Sequence, residues 1–179
     1  MLTIHDLRKV CTDSYILELC LPVLDDSRFA VCPLNLQENS HYAHEGGVLH
    51  YTGELVSYGT LMCSLYTNYN ATHINVLEYL VSAVWYNYGK CFEYEVVDGA
   101  WCKVDAQSKL DTSWRSALEF RKHVQTHALI ETDFNISYDN ILYNIISAST
   151  QIKSTSESIL LSSAISLSQQ LYQFKTHER

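Results

Sequence analysis

An apolar periodicity that starts at Gly46-Gly47 constrains this chain more than any other feature. Two adjacent glycines remove two β-carbons, so the backbone there can turn sharply or approach a neighbour closely. Val48, Tyr51, Leu55, Tyr58, Met62 and Leu65 follow at spacings of three and four, which places them on one face of a helix. Tyr51 is therefore expected to face inward, with His50 about 100° around the helix from it. A second apolar segment runs from His73 to Tyr88. Val76, Leu80, Val84 and Asn87 share one face of it, and Leu77, Ala83 and Tyr86 widen the apolar coverage, as in a central helix. Gly89 reads as its C-terminal stop. Asn87 falls near a core and needs a hydrogen-bond partner.

The rest of the chain is consistent with a helical domain built around these two segments. Ile4, Leu7, Val10 and Cys11 fit one face of a short helix, and Ile16 to Leu21 form another that Pro22 interrupts. Cys32 to His44 reads as an irregular polar crossing. Asp98-Gly99, set between alternating apolar residues in 93–104, predicts a β-hairpin. A helix is expected over 112–127, with apolar residues Trp114, Ala117, Leu118, Phe120 and Val124. Another is expected over 137–147, burying Ile141, Leu142, Ile145 and Ile146. Ser147 to Ser158 reads as a loop, Ile159 to Phe174 as the last helix, and Lys175 to Arg179 as a polar tail. The expected fold class is all-α in the main, with one small hairpin. A length of 179 residues suits one domain, 1–179, with N-terminal helices and crossing in 1–44 and the helical core in 45–174.

Composition narrows the functional classes. Nearly half the residues are apolar and few are charged, so the chain is globular rather than disordered. Thirteen tyrosines supply buried area with a polar tip on each ring. The net charge of −8 argues against broad binding to a phosphate backbone. Six cysteines, Cys11, Cys20, Cys32, Cys63, Cys91 and Cys102, contain no C-x-x-C pair, and no signal peptide precedes them. They read as reduced, mostly buried thiols of a cytoplasmic protein. No apolar run reaches the roughly 18 residues of a membrane span. Asn70-Ala-Thr72 and Asn135-Ile-Ser137 match a glycosylation pattern that has no meaning without secretion.

At the motif level the chain resembles the HD-domain metal-dependent phosphohydrolases. Asn39-Ser-His-Tyr-Ala-His-Glu-Gly-Gly-Val-Leu-His-Tyr-Thr52 is similar to that family's N-x-H-H-A-Y-x-G-G-L-L-E-H-T, and Ser82-Ala-Val-Trp-Tyr-Asn-Tyr-Gly-Lys90 to its G-A-L-L-H-D-I-G-K. Thr126-His127, Ile145 to Thr150 and Leu160 to Leu167 fall where the family has G-H, I-L-S-H-H-G and L-L-H-Y-A-D-N-L. The likeness is greatest to HD-type 3′–5′ exoribonucleases and to the HD-like N-terminal domain of conjugative relaxases. It implies a helical scaffold and a pocket between the two long apolar helices.

The departures from the family's pattern bear on chemistry. Its divalent-metal ligands, a histidine in the first motif, the H-D pair and a late aspartate, correspond here to Tyr51, Tyr86, Asn87 and Ile165. The S-H-H-G histidines correspond to Ala148 and Ser149, while His41, Lys90 and His127 persist. Phenols and amides are poor ligands for a hard or borderline dication at neutral pH, and isoleucine is none. Without the ion there is no acidified water and no charge clamp for a phosphoryl group. The resemblance therefore implies a vestigial pocket of Tyr51, Tyr86, Asn87, Lys90, His127 and Ile165, with no catalytic residue, no metal and no cofactor.

Three functional readings follow. The leading one is a non-catalytic HD-like protein that binds a protein or a protein–nucleic acid complex, in a phage or mobile-element setting suggested by the relaxase-like resemblance. The second is a phosphohydrolase or nuclease whose metal site is rebuilt around His41, His44, His50 and His127. The third is a nucleotide sensor that uses the vestigial pocket, with Lys90, Arg115, Arg121, Lys122 and His127 at one mouth. Arg115, Arg121 and Lys122 also read simply as a solvated helix face. No G-x-S-x-G elbow or Cys–His pattern points to nucleophilic catalysis.

Overall fold

The computed structural model describes residues 3–11, 13–38, 40–68, 74–104, 110–126, 136–150 and 155–177. The order is α1 (Ile4–Val10), α2 (Ser14–Leu24), α3 (Ser27–Val31), α4 (Gly47–Asn68), α5 (Val76–Trp85), a 3₁₀ helix (Tyr88–Phe92), β1 (Tyr94–Val97), β2 (Ala100–Lys103), α6 (Thr112–Thr126), α7 (Tyr138–Ser147) and α8 (Ser156–His177). The protein is thus mainly helical with one small antiparallel sheet, as its periodicities predict. His127 and both glycosylation-like asparagines lie outside the described residues.

Helix α5 is the axis. Asn75 caps it, its side chain accepting from the Leu77 and Glu78 amides, and residues 78–85 are buried on every side. It packs against α2, α4, α7 and α8. Trp85 is fully buried, donates from Nε1 to the Leu19 carbonyl at 2.9 Å, and meets Phe120 edge to face at 5.3 Å. Each fully buried large apolar side chain of this kind contributes about 1.5–3 kcal/mol. Glu78, also buried, accepts the Ser137 amide at 2.7 Å and Asn140 Nδ2 at 3.2 Å, which ties α5 to the start of α7.

The glycine pair behaves as the sequence predicts. Gly46 takes φ 75°, and a β-carbon on Gly47 would overlap the Tyr42 carbonyl oxygen. The inward face of α4 is rotated from the expected one, however. Val48, Tyr51 and Leu55 are buried, but further along it is Val56, Gly59 and Cys63 that turn inward, while Leu65 is exposed. The cause is Tyr79 on α5, whose hydroxyl donates to the Leu55 carbonyl at 2.6 Å and occupies the space a β-carbon at Gly59 would need. Packing one bulky ring over a glycine sets the helix rotation more strongly than the apolar spacing does.

Other expectations need correction. Pro22 does not interrupt its helix; α2 runs through it to Leu24. The missing Pro22 amide leaves the Glu18 carbonyl without its helical donor, and His123 Nε2 lies 3.2 Å from that oxygen. Gly89 is not the stop of α5, which ends at the Tyr86 cap. Gly89 lies inside the 3₁₀ helix, where a β-carbon would overlap the Thr112 carbonyl oxygen, so its smallness serves close contact with α6. Trp114 and Leu118 are exposed, and α6 instead buries Ser113, Ser116, Ala117 and Phe120. The last helix begins at Ser156 rather than Ile159, and Ile159 and Phe174 are exposed on it. The hairpin is as predicted, with Asp98 at φ 53° and Gly99 at φ 80°. Five of the six cysteines are buried and Cys102 is exposed; all six are free thiols. No helix among the described residues is long and apolar enough to cross a membrane.

Candidate functional site

Helix α5 ends at an interior position, and what it leaves there is a small polar pocket. Tyr86, Asn87, Lys90, Asp111, Thr112, Ser113 and Ser149 line it, enclosing about 180 Å³. Three elements meet around it: the end of α5 with the 3₁₀ helix, the start of α6, and the residues just after α7. Ser116 fastens the first two together. Its hydroxyl accepts from the Gly89 amide at 2.7 Å and donates to the Tyr86 carbonyl at 3.0 Å.

Asn87 is the unusual member of the lining. It is 6% exposed, and its Nδ2 is buried without a hydrogen-bond partner. An unmet donor of this kind costs about 1–3 kcal/mol. Its backbone sits at φ −102°, ψ 4°, between α5 and the 3₁₀ helix, and its side chain caps neither. Tyr86 stands beside it as a neutral phenol. Burial, and then the Asp111 charge, push its pKa up to about 12 against the pull of the Ser149 hydroxyl.

Lys90 supplies the positive charge. Its Nζ donates to Glu93 Oε2 at 2.8 Å, and the same carboxylate takes the Thr112 hydroxyl. Burial works against the ammonium, but Glu93 outweighs it, with Tyr94 adding to the effect, and the pKa lies above the ordinary lysine value. Asp111 accepts the Ser113 amide and hydroxyl, both at 2.9 Å, as the cap of α6. The pocket is therefore lined by a phenol, an unmet amide donor, an ammonium, three hydroxyls and one capping carboxylate. It suits an uncharged or anionic hydrogen-bond acceptor.

A cluster of imidazole and phenol rings surrounds His41, none of them lining this pocket. His41 packs against Tyr42, Tyr51 and Tyr172, with ring centroids 4.5, 5.0 and 4.7 Å away. Its Nε2 lies 3.4 Å from Ser168 Oγ, which donates to Glu54 at 2.5 Å. Burial holds the His41 pKa below the usual imidazole value, against Glu54. Burial raises that of Tyr51, with the Tyr86, Glu54 and Tyr79 side chains adding to the effect.

The structure gathers some of the expected residues and separates others. Tyr86, Asn87 and Lys90 share one pocket, which Ser149 also lines, while Tyr51 is buried outside its lining. Ile165 is half-buried against the core on α8 and does not line the pocket. His44 and His50 face each other with centroids 5.0 Å apart, but His41 turns away toward Tyr51 and Tyr172. No three His, Cys, Asp or Glu side chains among the described residues are grouped to hold a metal ion. Lys90 and Arg115 do not share a mouth. Arg115 lines a separate groove under the hairpin, while Arg121 and Lys122 are exposed and line neither cavity. Asp111, Thr112 and Ser113 were not foreseen as lining. Their sequence signal, an Asp before a helix, announces only a cap.

The chain matches no family model, no curated protein and no solved structure.

Proposed function

We propose that this is a non-catalytic, HD-like protein that works by binding. Its partner is a protein or a protein–nucleic acid complex in a phage or mobile-element setting. One observation supports the reading above the others. Two positions that the motif resemblance equates with metal ligands, Tyr86 and Asn87, line one pocket together with Ser149 of the S-H-H-G match, yet they present a phenol and an amide donor in place of a ligand set. A shared ancestral site accounts for the convergence, and the substitutions account for the loss of chemistry.

The test is to restore the ligands. Elemental analysis of the purified chain is expected to show no stoichiometric Mn, Fe, Ni or Zn, and phosphodiester hydrolysis is expected to be absent with any of these ions added. The variant combining Tyr51→His, Tyr86→His and Asn87→Asp is expected to acquire one of them. Stoichiometric metal or ion-dependent hydrolysis in the unmodified chain would sink the proposal in favour of a rebuilt site. Failure of the restored variant to take metal, while folded, would remove the HD ancestry.

A second reading has its own support. The unmet Asn87 donor, beside Lys90 and the Tyr86 phenol, favours a small ligand carrying an acceptor, such as a nucleotide. A ligand that binds the native state raises the melting temperature. In a nucleotide screen, a rise that Asn87→Leu abolishes supports this reading.

A further inference from the structure

A second cavity, lined by a separate set of residues, has a different character. It is a groove of about 620 Å³ between the inward face of the hairpin and the α3, 3₁₀ and α6 segments. Tyr94, Val96 and Trp101 share that hairpin face, because Val96 pairs with Trp101 across the sheet and Tyr94 with Lys103. With Val31, Phe92 and Val104 they make the groove largely apolar and rich in aromatic surface.

Two guanidinium groups close one part of it. The Arg28 carbon Cζ lies 4.4 Å from the Phe92 ring centroid and that of Arg115 lies 4.9 Å from it. Both cations are thus packed on the same ring, and both line the groove. They are also held in place. Asp26 takes Nε and Nη2 of Arg28 at 3.1 and 2.6 Å, and is itself fixed by the Tyr88 hydroxyl at 2.7 Å. Arg115 Nε lies 3.3 Å from Glu119 Oε1, although that contact is too poorly aligned to be a hydrogen bond. Asp26 thus occupies one edge of the Arg28 guanidinium, while Glu119 pairs with Arg115 by charge alone. Among the described residues, Arg28 Nη1 reaches only the Cys91 carbonyl, at 3.5 Å, and the Arg115 Nη atoms make no hydrogen bond. Glu95 is the one carboxylate in the lining among the described residues.

From this arrangement we infer that the groove is a binding site for a small aromatic anion, a flat ring system bearing a carboxylate or a phosphate. The ring lies along Trp101 and Tyr94, and the anion meets the free guanidinium edges of Arg28 and Arg115. A volume of about 620 Å³ falls within the range of about 300–1,000 Å³ typical of small-molecule sites. Apolar walls with a few fixed polar groups are the usual construction of such sites. Planar guanidiniums pair with carboxylate and phosphate through two parallel donors, a geometry that a lysine does not offer. This site is independent of the pocket at Asn87 and of the HD reading.

The experiment is calorimetric titration of the full chain with indole-3-acetate, phenyl phosphate and adenosine monophosphate. Indole, adenosine and inorganic phosphate serve as controls that carry only the ring or only the anion. The expected result is a dissociation constant below about 1 mM for at least one ring-bearing anion, with its neutral ring and free phosphate at least about tenfold weaker. Comparing the carboxylate with the phosphates tells which anion the groove takes. Arg115→Gln and Trp101→Ala, with folding checked by circular dichroism, are each expected to weaken binding at least about tenfold, and Lys122→Gln, at an exposed residue that lines neither cavity, to leave it unchanged. No binding of any of the three anions at about 5 mM, or affinity unchanged in both groove variants, would overturn the assignment. Loss of binding in Asn87→Leu alone would move the ligand to the other pocket and overturn it equally.

Discussion

Two buried asparagines show how the same side chain can be put to different uses in one core. Asn144 on α7 is fully buried and closed on both sides. Its Nδ2 donates to Ser82 Oγ at 3.3 Å, and its Oδ1 accepts from Thr155 Oγ1 at 2.6 Å. Asn87 is nearly as buried, yet its Nδ2 has no partner and the side chain borders a pocket. Asn144 joins α7 to α5 and to the approach of α8, and its polarity is spent inside the fold. At Asn87 the polarity is left unspent by the fold. Buried polar groups are nearly always hydrogen-bonded, so an exception marks either a cost or a binding position.

Truncating the two amides tests the contrast most strongly. Asn144→Ala removes two hydrogen bonds and opens a space among α5, α7 and α8, so urea denaturation is expected to show a loss of about 2–4 kcal/mol. Asn87→Ala removes a donor that bonds to nothing in the protein, so its stability is expected to stay within about 0.5 kcal/mol of the parent or to rise. Equal losses at the two positions would break the comparison.

The pocket walls can be tested next. Gly89→Ala drives a β-carbon into the Thr112 carbonyl, between the two elements that Ser116 fastens. The expected cost is about 1–3 kcal/mol, the ordinary range for overpacking. A neutral result would mean that the 3₁₀ helix and α6 part easily and that the pocket is not a rigid cavity.

A conservative exchange of the charge partner should cost less. Glu93→Gln leaves Lys90 and Thr112 with a neutral acceptor, at a cost of about 0.5–1.5 kcal/mol to the denaturation free energy. A larger loss would show that the Lys90 ammonium depends on Glu93 for its place in the pocket wall.

The last test varies pH. The pKa of Tyr86 is pushed up to about 12 in the fold, above the ordinary tyrosine value of about 10. The neutral phenol is therefore the form that folding favours. The stability it contributes is complete below pH about 10 and is lost as pH rises toward about 12. Urea midpoints between pH 9 and 11 are expected to fall, and to fall less steeply in Tyr86→Phe. Identical slopes would place Tyr86 in a more solvated setting than the pocket implies.

How far the sequence disclosed all this varied with how local each signal is. The Asp98-Gly99 turn, the launch of α4 from Gly46-Gly47 and the burial of Ile141 and Ile145 follow from neighbouring residues, and the structure shows all three. The continuation of α2 through Pro22 was not legible, because the freed Glu18 carbonyl lies beside His123, more than a hundred residues later. Three of the seven residues lining the pocket, Tyr86, Asn87 and Lys90, were singled out in the sequence. Asp111 to Ser113 were hidden behind a capping signal, and Ser149 reads in the sequence as part of a serine-rich loop.

By itself the sequence determined the helical class, the hairpin and the identity of the side chains at the end of α5, since backbone propensity and side-chain chemistry are local properties. Only the tertiary structure decided which face of α4 turns inward, which amide is satisfied and which is not, and that Arg28 and Arg115 share one ring. Those outcomes depend on where distant helices lie against one another. That is a matter of packing shape, and no stretch of the chain carries it alone.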